Sequence, residues 1–309
     1  MKQFDRTKLN IKPLSERESK SDLSILIDPN SPPPEISPEE LSKLKLIANS
    51  MKEAKEKNAP IVFAFGAHLI KNGLAKILIE LMKQGYIQHL LANEATVIHD
   101  WELAFHGKTE EDVRKYVKEG QFGVWETGEH IGKALKEGAK NNKGYGEAVG
   151  KSIQNLQNKE ISTVGEAYRL GIPFSIGVCV GQNITHIHPD FDFETAGKTS
   201  GIDFLRLVET ISNLENGIYF SVGSAILSPM IFEKALSMAK HVNKNLNNYK
   251  IYVNDIQPSD WDWSQGEPPK DNPTYYLRFM KTFARMGGDL DYVEMDNKAF
   301  LHNLYHLLK

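Results

Sequence analysis

Short apolar runs alternate through most of the chain with longer stretches whose apolar positions recur every three or four residues. IVFAF at 61–65 is an unbroken run rich in β-branched and aromatic residues and predicts a strand buried on both faces. GAHLIKNGLAKILIELMKQG follows as a turn and a helix ending at Gly85, and YIQHLLAN at 86–93 reads as the next strand, so these pieces form a βαβ unit. Helical patterns then cover about 97–105, 109–118, 125–138, 144–157 and 162–170, before a buried strand at 173–180. Beyond it come helix 202–214, strand 217–222, helix 229–243, strand 250–253, helix 274–285, strand 290–293 and a closing helix, 297–308. Strands separated by helices of this length require parallel pairing through right-handed crossovers, which covers both sheet faces. The expected fold class is therefore α/β, a doubly wound and mainly parallel sheet flanked by helices.

Residues 1–40 break this rhythm. They carry mixed charge and the string DPNSPPPEISPEE, whose three successive prolines can join neither a helix nor a central strand. This segment reads as an extended N-terminal arm, and residues 41–309 as one domain. Ser37-Pro38-Glu39-Glu40 marks the first helix start, with Ser at the N-cap and Glu at the capping-box position.

Composition narrows the functional classes. Of 309 residues, 40% are hydrophobic and 25% charged, ordinary globular usage with enough apolar material for a large core. The net charge of −3 comes without any block of Lys and Arg, which argues against a nucleic-acid partner or an anionic membrane. No apolar run approaches the roughly 18 to 20 residues that span a bilayer. The opening MKQFDRTKLN has no apolar core, so no signal peptide is expected, and a cytoplasmic location follows. The single cysteine, Cys179, allows no internal disulfide and, inside IGVCVG, reads as a small buried hydrophobe.

In such sheets ligands bind at the carboxyl ends of the strands, where loops diverge and helix N-termini offer free N–H groups. Gly66-Ala67-His68 opens a helix after the first strand and suits the close approach of a phosphate or carboxylate, although no G-x-G-x-x-G is present. Asn93-Glu94 and His99-Asp100 bracket the end of the second strand. A carboxylate there could hold ribose hydroxyls, and a His–Asp pair could fix a tautomer, while a plain helix cap explains Asp100 equally well. His186 and His188 in THIHPD, if extended, project to one side, as a metal pair or an acid/base or substrate-binding pair requires, while a structural role is the third reading. Gly223-Ser224-Ala225 keeps side chains small just past a strand. Trp261 and Trp263, in a Pro/Gly-rich loop, either wall a pocket or meet a partner subunit.

The order of these pieces resembles deoxyhypusine synthase. The likeness is carried by AFGAHLIKNGLAKILIELMKQGYIQHLLANEATVIHDWELAF, by LGIPFSIGV, by GSAILSP and by DYVEMDNKAFLHNLYHLL. It implies a Rossmann-like fold, a homotetramer and NAD held by Gly66, His68, Asn72, Asn93, Glu94, Thr96, Asp100, Gly223, Ser224, Asp296 and Asn297. At the reaction centre the chain departs from that family. Tyr292 stands where the family's imine-forming lysine falls, Ser228 near its histidine, and Gly181 to His186 where acidic residues receive a polyamine. Without those groups spermidine and covalent imine transfer are disfavoured. The expectation is an NAD-dependent oxidoreductase or transferase acting on a small polar or anionic metabolite, with His186, His188 and His99 as catalytic groups. A metal-dependent hydrolase or lyase using the His-x-His segment, and a non-catalytic NAD-binding scaffold, are the alternatives.

Overall fold

The computed structural model describes residues 1–309, apart from the side chain of Arg278. Eight strands form: β1 (Ser19–Asp22), β2 (Ile61–Phe65), β3 (His89–Asn93), β4 (Lys108–Glu111), β5 (Phe174–Gly177), β6 (Ile218–Val222), β7 (Lys250–Asp255) and β8 (Asp289–Glu294). Six of them make one parallel sheet in the order β5-β3-β2-β6-β7-β8. Ranked within that sheet, the order is third, second, first, fourth, fifth, sixth, the arrangement of a Rossmann fold. The chain reverses its direction of winding between β2 and β6, so their carboxyl ends, Phe65 and Val222, flank the topological switch point.

Among the described residues there are twelve helices. They are α1 (Pro38–Glu56), α2 (His68–Lys71), α3 (Ala75–Lys83), α4 (Glu94–His106), α5 (Val113–Lys118), α6 (Thr127–Lys140), α7 (Tyr145–Ile153), α8 (Thr163–Leu170), α9 (Phe193–Ser212), α10 (Leu227–Val242), α11 (Arg278–Ala284) and α12 (Asn297–Leu308). β2 shows why both faces must be covered. Ile61, Phe63 and Phe65 pack into a core with residues of α1, α3, α4 and α12, while Val62 and Ala64 point into a second core with α9, α10 and α11. All five residues are fully buried, the pattern of a central parallel strand. The capping box at α1 forms as its sequence predicts: Ser37 Oγ accepts from the Glu40 N–H, and the Glu40 carboxylate accepts from the Ser37 N–H.

Several segments depart from the periodicity: the helix expected from 202 begins at Phe193, and that expected at 274–285 is a 3-10 turn, Pro273–Tyr276, followed by α11. The stretch expected as one helix at 109–118 divides: Lys108–Glu111 is the strand β4, paired antiparallel with β1 from the N-terminal arm, and only Val113–Lys118 is helical. Pairing with a distant partner overrides local preference here. The strand expected at 173–180 ends at Gly177, which leaves Cys179 exposed rather than buried. The segment 184–187, expected to be extended, is a 3-10 turn, so His186 and His188 do not project from one face of a strand. Among the described residues no helix is long and apolar enough to cross a membrane.

Candidate functional site

Two hollows lie along the carboxyl edge of the sheet. The first, about 230 Å³ in volume, opens at the switch point and is lined by His68, Asn72, Gly223, Asn254, Asp296 and Asn297, among others. The turn after β2 and the turn after β6 touch here. A Cβ on residue 66 would sit 2.2 Å from the carbonyl oxygen of Gly223, and Gly223 itself has a φ of 57°. Both turns therefore need glycine, and backbone amides crowd the strand ends. Asn72 Nδ2 donates to Asn297 Oδ1 at 2.8 Å and joins the β2 side of the cleft to the start of α12. Asp296 caps α12 by accepting from the Lys298 N–H. Asn254, 1% exposed, donates through Nδ2 to the carbonyls of Val293 and Met295, and its Oδ1 has no partner.

The second hollow, about 210 Å³, lies where α4, β4 and the loop after β5 converge. Arg17, reaching in from the N-terminal arm, forms a two-pronged ion pair with Glu102, both bonds 2.8 Å and both side chains 1% exposed. Burial pushes the Glu102 carboxyl upward, but the Arg17 guanidinium and the Thr109 hydroxyl outweigh it and hold it below the usual carboxylate range. Thr109 donates its one hydroxyl proton to Glu102 at 2.7 Å, so its oxygen must accept from His99 Nδ1 at 2.8 Å. That fixes the tautomer: Nδ1 carries the proton, and Nε2 is a free acceptor on a ring that lines the hollow. Burial lowers the His99 pKa to about 4, so the ring is neutral near pH 7.

The residues singled out from sequence separate accordingly. Gly66, His68, Asn72, Gly223, Ser224, Asp296 and Asn297 come together at the switch-point cleft. Asn93, Glu94, Thr96 and Asp100 do not join them. Asn93 caps α4 by accepting from the N–H and hydroxyl of Thr96. Asp100 is buried and caps α8, taking donors from Ser162, Thr163 and Val164. Glu94 is buried against Tyr145, Asn183 and His186. His186 accepts from the Gly181 N–H at Nδ1, and its Nε2 lies 3.0 Å from Glu94, so neither nitrogen is left for a reaction. His188 Nδ1 accepts from the Asp190 N–H, and its Nε2 is buried without a partner. Arg6 holds the same loop through the carbonyls of His186, His188 and Phe191. Among the described residues, no three His, Cys, Asp or Glu side chains converge to hold a metal.

The two indoles fold their own loop: Trp261 donates to the Gly266 carbonyl and Trp263, buried, to Ser259 Oγ. Tyr292 donates its hydroxyl to the Gln257 carbonyl, and Ser228 bonds Tyr219. Arg17, Lys71, Glu102, Thr109, Glu110, Glu111 and Asn254 were not visible as site residues in the sequence. Arg17 and Glu102 lie 85 positions apart, and the carboxylates at 110–111 fell in a stretch expected to be helical. Only Asn254 carried a signal, its place at a strand end.

A family model for the arginine dihydrolase ArgZ-like C-terminal Rossmann fold matches residues 45–134, from α1 through β2, β3 and β4 into α6. No curated protein matches the chain. Among solved structures, apo ArgZ, an arginine dihydrolase from the ornithine–ammonia cycle in cyanobacteria, is similar at 18% identity and a TM-score of 0.51, over 89% of this chain and 33% of that one. A conserved LOR/SDH protein from Methanococcus maripaludis S2 matches at 18% identity and a TM-score of 0.52, over 91% and 73% of the two chains. Unliganded AgrE gives 16% and 0.53, over 89% and 33%. The chain thus spans about a third of the length of ArgZ and AgrE. These findings overturn the resemblance to deoxyhypusine synthase. The stretches that carried it are apolar strands followed by small-residue turns, which close strand–turn contact demands of any sheet wound this way. The tetramer expected on that likeness loses its support. What the comparisons establish is the fold, a Rossmann domain.

Proposed function

We propose that the chain is an NAD-dependent enzyme that holds the dinucleotide at the switch-point cleft and acts on a small polar metabolite in the neighbouring hollow. The observation that carries this is the meeting of two glycine turns at the reversal of a Rossmann sheet, beside a buried acceptor, Asn254 Oδ1, that lacks a donor. Leaving such an acceptor unpaired costs about 1–3 kcal/mol, which a ligand hydroxyl or amide would recover. Gly66, His68, Asn72, Gly223, Ser224, Asp296 and Asn297 would hold the cofactor. Asp255 and Asp296 are charged residues of the cleft lining, and among the described residues no lysine or arginine lines it. Carboxylates suit ribose hydroxyls and oppose a 2′-phosphate, which favours NAD over NADP.

NAD, when bound, supplies the hydride acceptor or donor. The chain supplies the proton carrier. His99 offers an unprotonated Nε2, and Glu102 acting through Thr109 holds the ring in that tautomer, the role of the third member of a catalytic triad. Glu102, Glu110 and Glu111 around the same hollow work against the anionic class of substrate. That ArgZ, which shares the fold, is an arginine dihydrolase makes amino acids the first substrates to try.

Thermal denaturation with increasing NAD+ and NADH tests the cofactor reading. Saturation at a hundredfold excess over Kd stabilises by about 2.7 kcal/mol, a rise of several degrees. Absence of any shift with either form refutes it. His99→Gln should leave that shift intact while removing substrate-dependent NADH formation.

A further inference from the structure

The second hollow is built from three carboxylates whose surroundings differ. Glu102 has both oxygens filled, by Arg17 and by the hydroxyls of Thr109 and Thr127. Glu110 also has both filled, by Lys71 at 2.9 Å and by Ser21 at 3.0 Å. Glu111 is 7% exposed, and its Oε2 accepts from Trp125 Nε1 at 2.7 Å and from the Gly123 N–H at 3.1 Å. Its Oε1 is buried without a partner. Two carboxylates thus have a cation each, and the third has none.

The backbone is bent to produce this arrangement. Successive residues of a strand point to opposite faces, yet Glu110 and Glu111 line the same hollow. Glu110 has a φ of 69°, the left-handed region that an L residue with a long side chain avoids, and it interrupts the alternation of β4. With Arg17 and Lys71 positive and three glutamates negative, the hollow lacks one positive charge.

We propose that Glu111 anchors a positively charged nitrogen, an ammonium or guanidinium group, of the small molecule that occupies this hollow. A nitrogen donor reaching Oε1 completes its hydrogen bonding and balances the charge, the charge-assisted contact that a buried carboxylate without a counter-ion calls for. Burial raises the Glu111 pKa, as expected for a carboxyl that no cation holds down. This assignment rests on the reading of the hollow as the substrate site and adds the class of group it takes.

Calorimetric titration, with and without NAD, of four probes of one length tests it. L-Lysine carries two ammonium groups, L-norleucine and 6-aminohexanoate one each, and hexanoate none. Lysine and at least one single cation should bind roughly tenfold or more tighter than hexanoate. Glu111→Gln keeps an acceptor for Trp125 and Gly123 and should erase that preference, while Glu111→Asp should keep part of it. Hexanoate binding as tightly as lysine, a preference unchanged in Glu111→Gln, or no binding by any probe overturns the inference. If the variants do not fold, the four probes on the wild-type chain decide it. NAD binding without cation preference defeats this inference alone. Cation binding that depends on Glu111, without NAD binding, defeats the dinucleotide reading alone.

Discussion

Replacing Arg17 by Met tests whether the N-terminal arm is part of the domain or merely lies on it. Arg17 contributes two bonds of 2.8 Å to Glu102, and both side chains are 1% exposed. Met fills much of the same space, so what the variant removes is the charge and the donors. Glu102 would keep the hydroxyls of Thr109 and Thr127 but lose its only counter-ion. Breaking one side of a buried ion pair costs about 3–5 kcal/mol, and at roughly 2–4 °C per kcal/mol the melting temperature falls by about 6–20 °C. Replacing both partners together, Arg17→Met with Glu102→Met, should return most of that loss, because no unpaired buried charge remains. The sign with pH follows from Glu102, whose pKa is lowered on folding. Its contribution is present above the unfolded value of about 4.3 and is lost as pH falls through the folded value. Arg17→Met should therefore flatten the acid side of the stability profile. Urea melts of the two single variants and the double variant measure the coupling. A single variant within about 1 kcal/mol of wild type, or a double variant as unstable as the worse single, refutes the reasoning.

Two further outcomes are expected. Gly66→Ala places a Cβ 2.2 Å from the Gly223 carbonyl oxygen and forces the β2 and β6 turns apart; overpacking of this kind costs about 1–3 kcal/mol, and calorimetry should show weaker NAD binding than in wild type. Asp203 is buried, which raises its pKa to about 7, so the folded chain holds a proton that the unfolded chain releases near 4. Stability from this group is complete below pH 4 and declines as pH rises from about 4 to 7, a total on the order of 4 kcal/mol. In Asp203→Asn, one amide oxygen can still accept from Gly146 and Ile176, which both bond the same Asp203 oxygen. Chemical denaturation at pH 5 and pH 8 should therefore show about two thirds of that decline in wild type and none of it in the variant.

How much the sequence revealed depended on whether the signal was local. β2 was legible because its five residues are all apolar, β3 because a short apolar run, LLA, follows a helix that ends at a glycine, and α1 because its capping box is written in four adjacent residues. The switch-point cleft was partly legible for the same reason: Gly66 and Gly223 follow strands directly. The second hollow was hidden because its parts are distant in the chain. Arg17 meets Glu102 where β1 pairs with β4, a pairing made by a segment expected to be helical. The histidine segment misled for a related reason. His186 and His188 looked like exposed chemistry, yet Glu94, Arg6 and neighbouring backbone groups consume their loop. His186 accepts from the Gly181 N–H and His188 from the Asp190 N–H, and Asn183 from the same loop bonds Glu94 while lining the hollow.

The two hollows share a wall, which bears on how cofactor and substrate would meet. α2 is four residues long; His68 lines the switch-point cleft, while Lys71 at its other end is paired with Glu110 in the second hollow. The arm completes the enclosure from the other side. Ile27 donates its N–H to the Gly73 carbonyl, and a Cβ on Gly73 would lie 1.8 Å from the Ile25 carbonyl oxygen. The loop that follows α2 is therefore pressed against the same segment that delivers Arg17 to Glu102. One short helix therefore carries residues of both hollows, His68 and Lys71. On the proposed reading, His99 Nε2, which lines the second hollow together with Lys71, would be the proton acceptor for a molecule held there.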